Sequence, residues 1–356
     1  MKEHQMSGKE RVLAAVQLEE PDRVPISPSG FHKIALRRLF DYFHVDEKMA
    51  LYRELGLDAM IVSIGDGVIT FPSETEPMRL PDGSFVNEWG MSYIVPPDRD
   101  HVFVDQPLKK WDDLDRYILP DPDAPGRFDE LQELEKHAQD YALIGSIDFG
   151  LFEKACLLRG FGRFLRDLYT EPAFVNRLLD RLTEFDLKLI DQLCKHEIDI
   201  FFGSDDFGMQ TSLIISPRMF NEFFKERWEK LIRIPKSKGI PVMLHSDGNV
   251  EALIPDFISI GVDILNPVQP RAIDPAMVKT KYGDRLAQYG TIDIQYTLPF
   301  GSPQEVEQEV RTRLSTVGCG GGLVLAPSHT LLPDVPLQNY LTFIRAAKEF
   351  GRYPLA

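Results

Sequence analysis

The feature that most constrains this chain is a rhythm. Short β-branched and apolar runs alternate with longer amphipathic stretches, and several runs end in a polar or glycine-containing turn. Candidate strands occupy residues 24–27, 59–64, 142–147, 198–203, 241–245, 262–266, 286–290 and 323–326. Helical periodicity is clearest at 163–169, 172–196, 217–238, 250–260, 303–317 and 337–350. Pro172, Pro217 and Pro303 start helices, and Glu251 and Asp256 suit a first turn. Strands each followed by a helix predict a parallel α/β sheet, and this number of repeats closes into a (β/α)₈ TIM barrel more readily than it lies open. A length of 356 residues is ordinary for one such domain, spanning 1–356.

One region breaks the rhythm. From 66 to about 130 no helical period is found, and 78–97 has a hairpin pattern around Pro81-Asp82-Gly83, followed by Trp89 and Tyr93. We expect an insertion after the second strand, across the barrel mouth or its flank, with the proline-rich 120–125 as a stiff return.

Composition narrows the partners. A formal net charge of −15, with no basic stripe, repels phosphate backbones and argues against nucleic acid. No apolar run is long enough for a membrane span, and the charged N-terminus lacks a secretory pattern, so a cytoplasmic location is expected. Cys156, Cys194 and Cys319 form no C-x-x-C pair; the first two read as buried small hydrophobes. The glycine-rich 318–322 precedes a strand and reads as a helix-to-strand turn, not a phosphate loop.

In a barrel, catalytic groups gather at the C-terminal strand ends. Here those ends carry Ser63 and Asp66, Asp148, Asp205 and Asp206, His245 and Asp247, Asn266 and Gln269, Asp293, and Ser328 with His329. Asp66, Asp205 and Asp206 are the catalytic candidates; Asp148, Asn266, Gln269 and Ser328 are candidates for binding substrate. The apolar run Val242-Met243-Leu244 delivers His245, and Asp247 two residues on shares its face. His329 ends the eighth strand in the same way. Two imidazoles and a carboxylate suit zinc or another divalent metal. The same residues also read as hydrogen-bonded structural groups beside a good Asp-Gly-Asn turn, and His329 as a ligand-binding or proton-donating imidazole. Adjacent Asp205 and Asp206 are costly to bury together as anions, so one is expected at the mouth; capping of the next turn is the structural alternative. Glu153 and Arg159 read as a solvated or paired helix face.

Taken together, His245-Ser246-Asp247-Gly248-Asn249, the run from Gly261 to Pro270, and Ala326-Pro327-Ser328-His329 resemble the uroporphyrinogen decarboxylase superfamily. Arg11-Val12-Leu13-Ala14-Ala15, Pro21-Asp22-Arg23-Val24-Pro25 and residues 333–339 extend the resemblance over nearly the whole chain. The resemblance implies the barrel and leaves two chemistries open. Decarboxylases of the family carry an arginine-rich segment after the first strand; this chain has Pro28-Ser29-Gly30-Phe31-His32-Lys33 there. Asp66 matches the place of their catalytic aspartate and His329 their late histidine. Corrinoid-dependent methyltransferases of the family have His-x-Cys after the fifth strand and a cysteine after the eighth, which maps zinc ligands onto His245, Asp247 and His329, with both cysteines replaced. A harder N/O site better polarises an oxygen than activates a thiol. The resemblance therefore implies a metal-assisted methyltransferase moving a methyl group from a small methoxy or amine donor to cobalamin on a partner corrinoid protein, with a homodimer as the expected assembly. A cofactor-free decarboxylase or tetrapyrrole-binding relative is the alternative, and a catalytically silent barrel a third.

Overall fold

In a computed structural model of the protein, residues 6–96 and 101–355 are described. After two helices, Lys33–Phe43 and Lys48–Leu55, the chain forms β1 (Ala59–Ser63). It then forms β2 (Met78–Arg79), β3 (Phe85–Val86), β4 (Ser92–Ile94) and β5 (Val102–Asp105). Next come β6 (Ala142–Ile147), β7 (Ile200–Ser204), β8 (Val242–His245), β9 (Ile264–Asn266), β10 (Ala287–Tyr289) and β11 (Leu323–Val324). β1 and β6 to β11 make one seven-stranded parallel sheet in chain order.

The segment 24–27, expected as the first strand, makes a single parallel bridge between Ile26 and Leu325. Pro25 and Pro28 have no N–H to give a ladder, which is why no longer strand forms. The segment still joins the two edges. Ser27 N–H donates to Leu325 O at 3.0 Å, Leu325 N–H to Pro25 O at 2.9 Å, and Asp58 N–H to Ile26 O at 2.8 Å. The sheet is thus curled round and closed as a TIM-like barrel.

Inside the cylinder, Ile144, Ile200, Met243, Ile264 and Val324 are buried, with Val12 and Ala15 of the helix Gly8–Val16 packed against them. Lys9 of this helix reaches Asp199, just ahead of β7, at 2.8 Å. The helix therefore plugs the N-terminal end of the barrel and leaves only the C-terminal end open. Buried Asp58 accepts from Arg11 at 2.6 Å and Arg23 at 2.7 Å, tying the N-terminal segment to the foot of β1. Outside, the 22-residue helix Pro172–Leu193 begins on its proline and buries Leu178, Leu182, Phe185 and Leu189 at helical spacing. Each such side chain contributes roughly 1.5–3 kcal/mol of burial.

β2 to β5 form a separate antiparallel sheet. At its first turn, Asp82 Oδ1 accepts from Ser84 N at 3.0 Å, and Gly83 has a φ of 89° that favours glycine. Trp89 anchors this sheet on the barrel. Its ring meets Phe185 edge-on at 4.8 Å and its Nε1–H donates to Asp66 O at 2.9 Å. Among the described residues, no helix is long and apolar enough to cross a membrane.

Candidate metal centre and its cavity

Parallel pairing in register sets the strand ends level: Ser204 lies opposite His245, and His245 opposite Asn266. A cavity of about 340 Å³ opens above them, walled by residues from most of the strand ends. Asp148, Asp206, His245, Asn266, Ser328 and His329 are among its lining.

His245 is the best-defined group. Its Nδ1 is 2.7 Å from Asn266 Oδ1, and the amide is oriented by its own Nδ2–H donating to Tyr289 O at 3.4 Å. Asn266 oxygen can only accept, so Nδ1 carries the proton and Nε2 presents a lone pair to the cavity. That lone pair faces two carboxylates, Asp206 Oδ1 and Asp247 Oδ1, each 3.6 Å away. Three electron-rich atoms at such spacing need a proton or a cation between them.

Asp247 is held by its neighbours. Gln269 Nε2–H donates to Asp247 Oδ1 at 3.2 Å, while Gln269 Oε1 accepts from Gly248 N–H at 2.7 Å. Asp206 Oδ1 accepts from Asp247 N–H at 2.8 Å. Gly248, at φ 79°, has room for no side chain: a Cβ there would lie 2.6 Å from Met209 O. Burial pushes the Asp247 carboxyl up, against the pull of His245 and His329. The His329 ring completes the group, 5.8 Å from that of His245 at 67°.

One ligand atom each from His245, Asp247 and His329 lies within 4.8 Å of the others. Zinc sits about 2.0–2.1 Å from nitrogen and oxygen ligands. Ligand atoms around one such ion therefore stand roughly 3.3 Å apart. The 3.6 Å between His245 and Asp247 is close to this, and the donor set, two nitrogens and one oxygen, fits a borderline divalent ion with positions left open. The carboxamides of Asn266 and Gln269 supply the outer hydrogen bonds such ligands need.

The two adjacent acids part company. Asp206 lines the cavity. Asp205 turns away and is fully buried, accepting from Phe152 N at 3.1 Å, Glu153 N at 3.0 Å and Trp228 Nε1 at 2.9 Å. Burial pushes its carboxyl up to about 7 against these donors. It holds the N-terminus of the helix Leu151–Arg159, a structural use, but on an earlier helix and not on the turn that follows it, where the sequence suggested capping.

Glu153, which reads from sequence as part of a solvated or paired face, instead lines the cavity. Ser204 Oγ–H donates to it at 3.3 Å. Burial, and then the carboxylates of Asp206 and Asp205, hold its carboxyl well above the usual range. Arg159 is paired but not solvated: it is buried, with Nε 2.6 Å from Asp167. The signal for Glu153 is its place, in the first turn of a helix that begins just past a strand end.

Asp148 lines the cavity and accepts from Thr70 Oγ1 at 2.8 Å. Asp66 lies behind it, fully buried, with Oδ1 accepting from Val68 N at 3.0 Å and Oδ2 without a hydrogen-bond partner. Burial and then Asp148 push its carboxyl up. Behind both, Lys154 meets Asp186 at 2.5 Å with neither side chain exposed. Ser328 is at the wall with its hydroxyl donated to Ile292 O at 2.9 Å. Asp293 is drawn off the cavity to Arg271 at 2.8 Å. Among the described residues, neither lysine nor arginine lines the cavity.

Comparison with known proteins adds the lineage. Residues 7–350 match the family described as Uroporphyrinogen decarboxylase (URO-D). A uroporphyrinogen decarboxylase of Pseudoalteromonas translucida is 29% identical over 195 residues, 54% of this chain and 52% of its own length. The methylcobamide:CoM methyltransferase MtaA of Methanosarcina barkeri is 26% identical over 216 residues, 61% of this chain and 60% of its own. The chain thus spans about half to three-fifths of the length of these two relatives. Among solved structures, a methyltransferase from Methanosarcina mazei superposes with a TM-score of 0.73 over 97% of this chain and 99% of its own, at 22% identity, which supports the fold.

Proposed function

This chain belongs to the uroporphyrinogen decarboxylase (URO-D) family, and on that premise we propose that it transfers a methyl group from a small methylated donor to the cobalt of a partner corrinoid protein. The observation that carries this reading is a cavity lined by His245 and His329, with the Asp247 carboxylate grouped with them and, among the described residues, no lysine or arginine in its walls. A substrate bearing many carboxylates finds neither lysine nor arginine among the described lining to neutralise it, and the Asp206 carboxylate would repel it. A neutral donor meets no such penalty. That cost weighs against the decarboxylase reading, which the uroporphyrinogen decarboxylase relatives favour.

His245, Asp247 and His329 would hold a divalent ion, which supplies withdrawal of charge from the donor oxygen or nitrogen. Asn266 fixes the His245 ring with its Nε2 lone pair inward, and Gln269 and Asp206 set the angle of Asp247. As the bond from methyl to heteroatom breaks, its electron pair stays on the heteroatom. The carboxyl of Glu153, which lines the cavity, would give that atom a proton, whereas the catalytic candidates from sequence are Asp66, Asp205 and Asp206. Asp148 and Ser328 would orient the donor. The rim above the cavity, flanked by the insertion, would receive the corrinoid protein.

The test is direct. Purified protein with cob(I)alamin and methanol, trimethylamine or 2-methoxyphenol should form methylcobalamin, seen by its absorbance, with at least one donor. Carbon dioxide release from uroporphyrinogen, with no methylcobalamin from any donor, would overturn the proposal.

A further inference from the structure

A second cavity of about 410 Å³ abuts the first. Phe149, Glu153 and Asp206 line both, so the two chambers meet at the carboxyl assigned above to proton delivery. The remaining wall differs in kind. Phe103, Phe152, Cys156, Leu157, Phe161 and Ile214 supply most of it, with no lysine or arginine among the described lining; the one further polar group is the Gln106 amide, whose oxygen accepts from Arg163 at 2.7 Å. Phe103 comes from β5, so the inserted sheet furnishes one side, and Phe161 opens the helix Phe161–Thr170 on the other. Phe161 is 53% exposed, a large apolar ring kept at an open entrance.

Shape and polarity choose the occupant. An apolar cavity on the order of 150 Å³ is enough for benzene, so this chamber takes one substituted ring. Phenylalanine walls favour offset or edge-on contact with another aromatic ring. A neutral oxygen attached to that ring would lie at the seam, where the Glu153 carboxyl can donate a hydrogen bond to it, and the first chamber with His245 lies just beyond. We propose that the second chamber seats the ring of an aryl methyl ether, making methoxylated single-ring aromatics the donor class of this enzyme. The inference rests on the methyl-transfer reading for its chemistry and on the chamber alone for its binding.

Phenylalanines around carboxyl groups also describe a cage for a quaternary ammonium ion, and the test separates the two. Isothermal titration of the full chain with 2-methoxyphenol, methoxycyclohexane and tetramethylammonium should give tightest binding for 2-methoxyphenol, with tetramethylammonium at least tenfold weaker. Ile214→Trp, which fills the chamber, should weaken 2-methoxyphenol binding tenfold or more. Phe161→Ala, at a half-exposed position that tolerates truncation, should weaken it about threefold and carries the test if the tryptophan variant does not fold. Unchanged binding in these variants, or tighter binding of tetramethylammonium, overturns the inference. If 2-methoxyphenol binds as described but no donor methylates cobalt, the chamber stands and the methyl-transfer reading falls. If methanol or trimethylamine methylates cobalt while 2-methoxyphenol neither binds nor reacts, the chamber inference falls alone.

Discussion

Asn266 Oδ1 stands 2.7 Å from His245 Nδ1, one strand away in the sheet, and this contact decides which nitrogen of the histidine faces the cavity. Outer hydrogen bonds of this kind fix tautomer and ring angle. Asn266→Ala should lower zinc affinity about 10–100-fold while the fold persists. Competition against a chelating dye measures it. Affinity within twofold of the parent would show that the amide does not orient the ring.

Asp247 binds an ion only as a carboxylate, and burial raises its folded pKa, with His245 and His329 pulling the other way. Protons therefore compete with metal, and zinc affinity should fall as pH drops through the raised value. Above that value this carboxyl no longer adds to the competition. Asp247→Asn should bind more weakly at high pH and, below the raised value, release up to about one proton fewer on binding. Zinc titrations in buffers of different protonation enthalpy give the proton count.

Asp205 accepts three N–H groups in a dry setting. Asp205→Ala leaves all three unpaired and should destabilise the protein by about 2–4 kcal/mol. Urea unfolding checks it, with zinc content as the control that the His245 cluster is intact. A loss below about 0.5 kcal/mol would contradict the capping role.

Lys154 and Asp186 form an ion pair with neither side chain exposed. Breaking one side strands the other, so Lys154→Met should cost about 3–5 kcal/mol. Burial raises the Asp186 carboxyl while Lys154 opposes it. Without the lysine that carboxyl rises further, so the variant should recover stability as pH falls toward 5 and Asp186 protonates. The double change Lys154→Met with Asp186→Leu should recover most of the loss. Melting curves at pH 5 and pH 8 measure all three.

Much of this is legible in the sequence. Strand ends expected to converge do so for His245, Asp247 and His329, because alternation of apolar runs and amphipathic helices is a long-range pattern that local accidents do not erase. Segment 24–27 shows where the pattern misleads: it has strand composition, but its flanking prolines leave one bridge. The division of labour between Asp205 and Asp206 was open, since adjacent carboxylates differ only by which way the loop turns after β7. Glu153 and Lys154 were hidden for another reason. Charged residues on a helix usually face water, and only the packing of Leu151–Arg159 between the barrel and Pro172–Leu193 shows that these two do not.

We propose that His245 at the end of β8, His329 in the loop after β11 and Asp247 together hold one divalent ion. The direct measurement is metal content by mass spectrometry after incubation with one equivalent of zinc and removal of unbound ion. Close to one equivalent is expected in the parent and under about a tenth in His245→Ala and His329→Ala. A parent that retains none, or variants that retain as much as the parent, would contradict it.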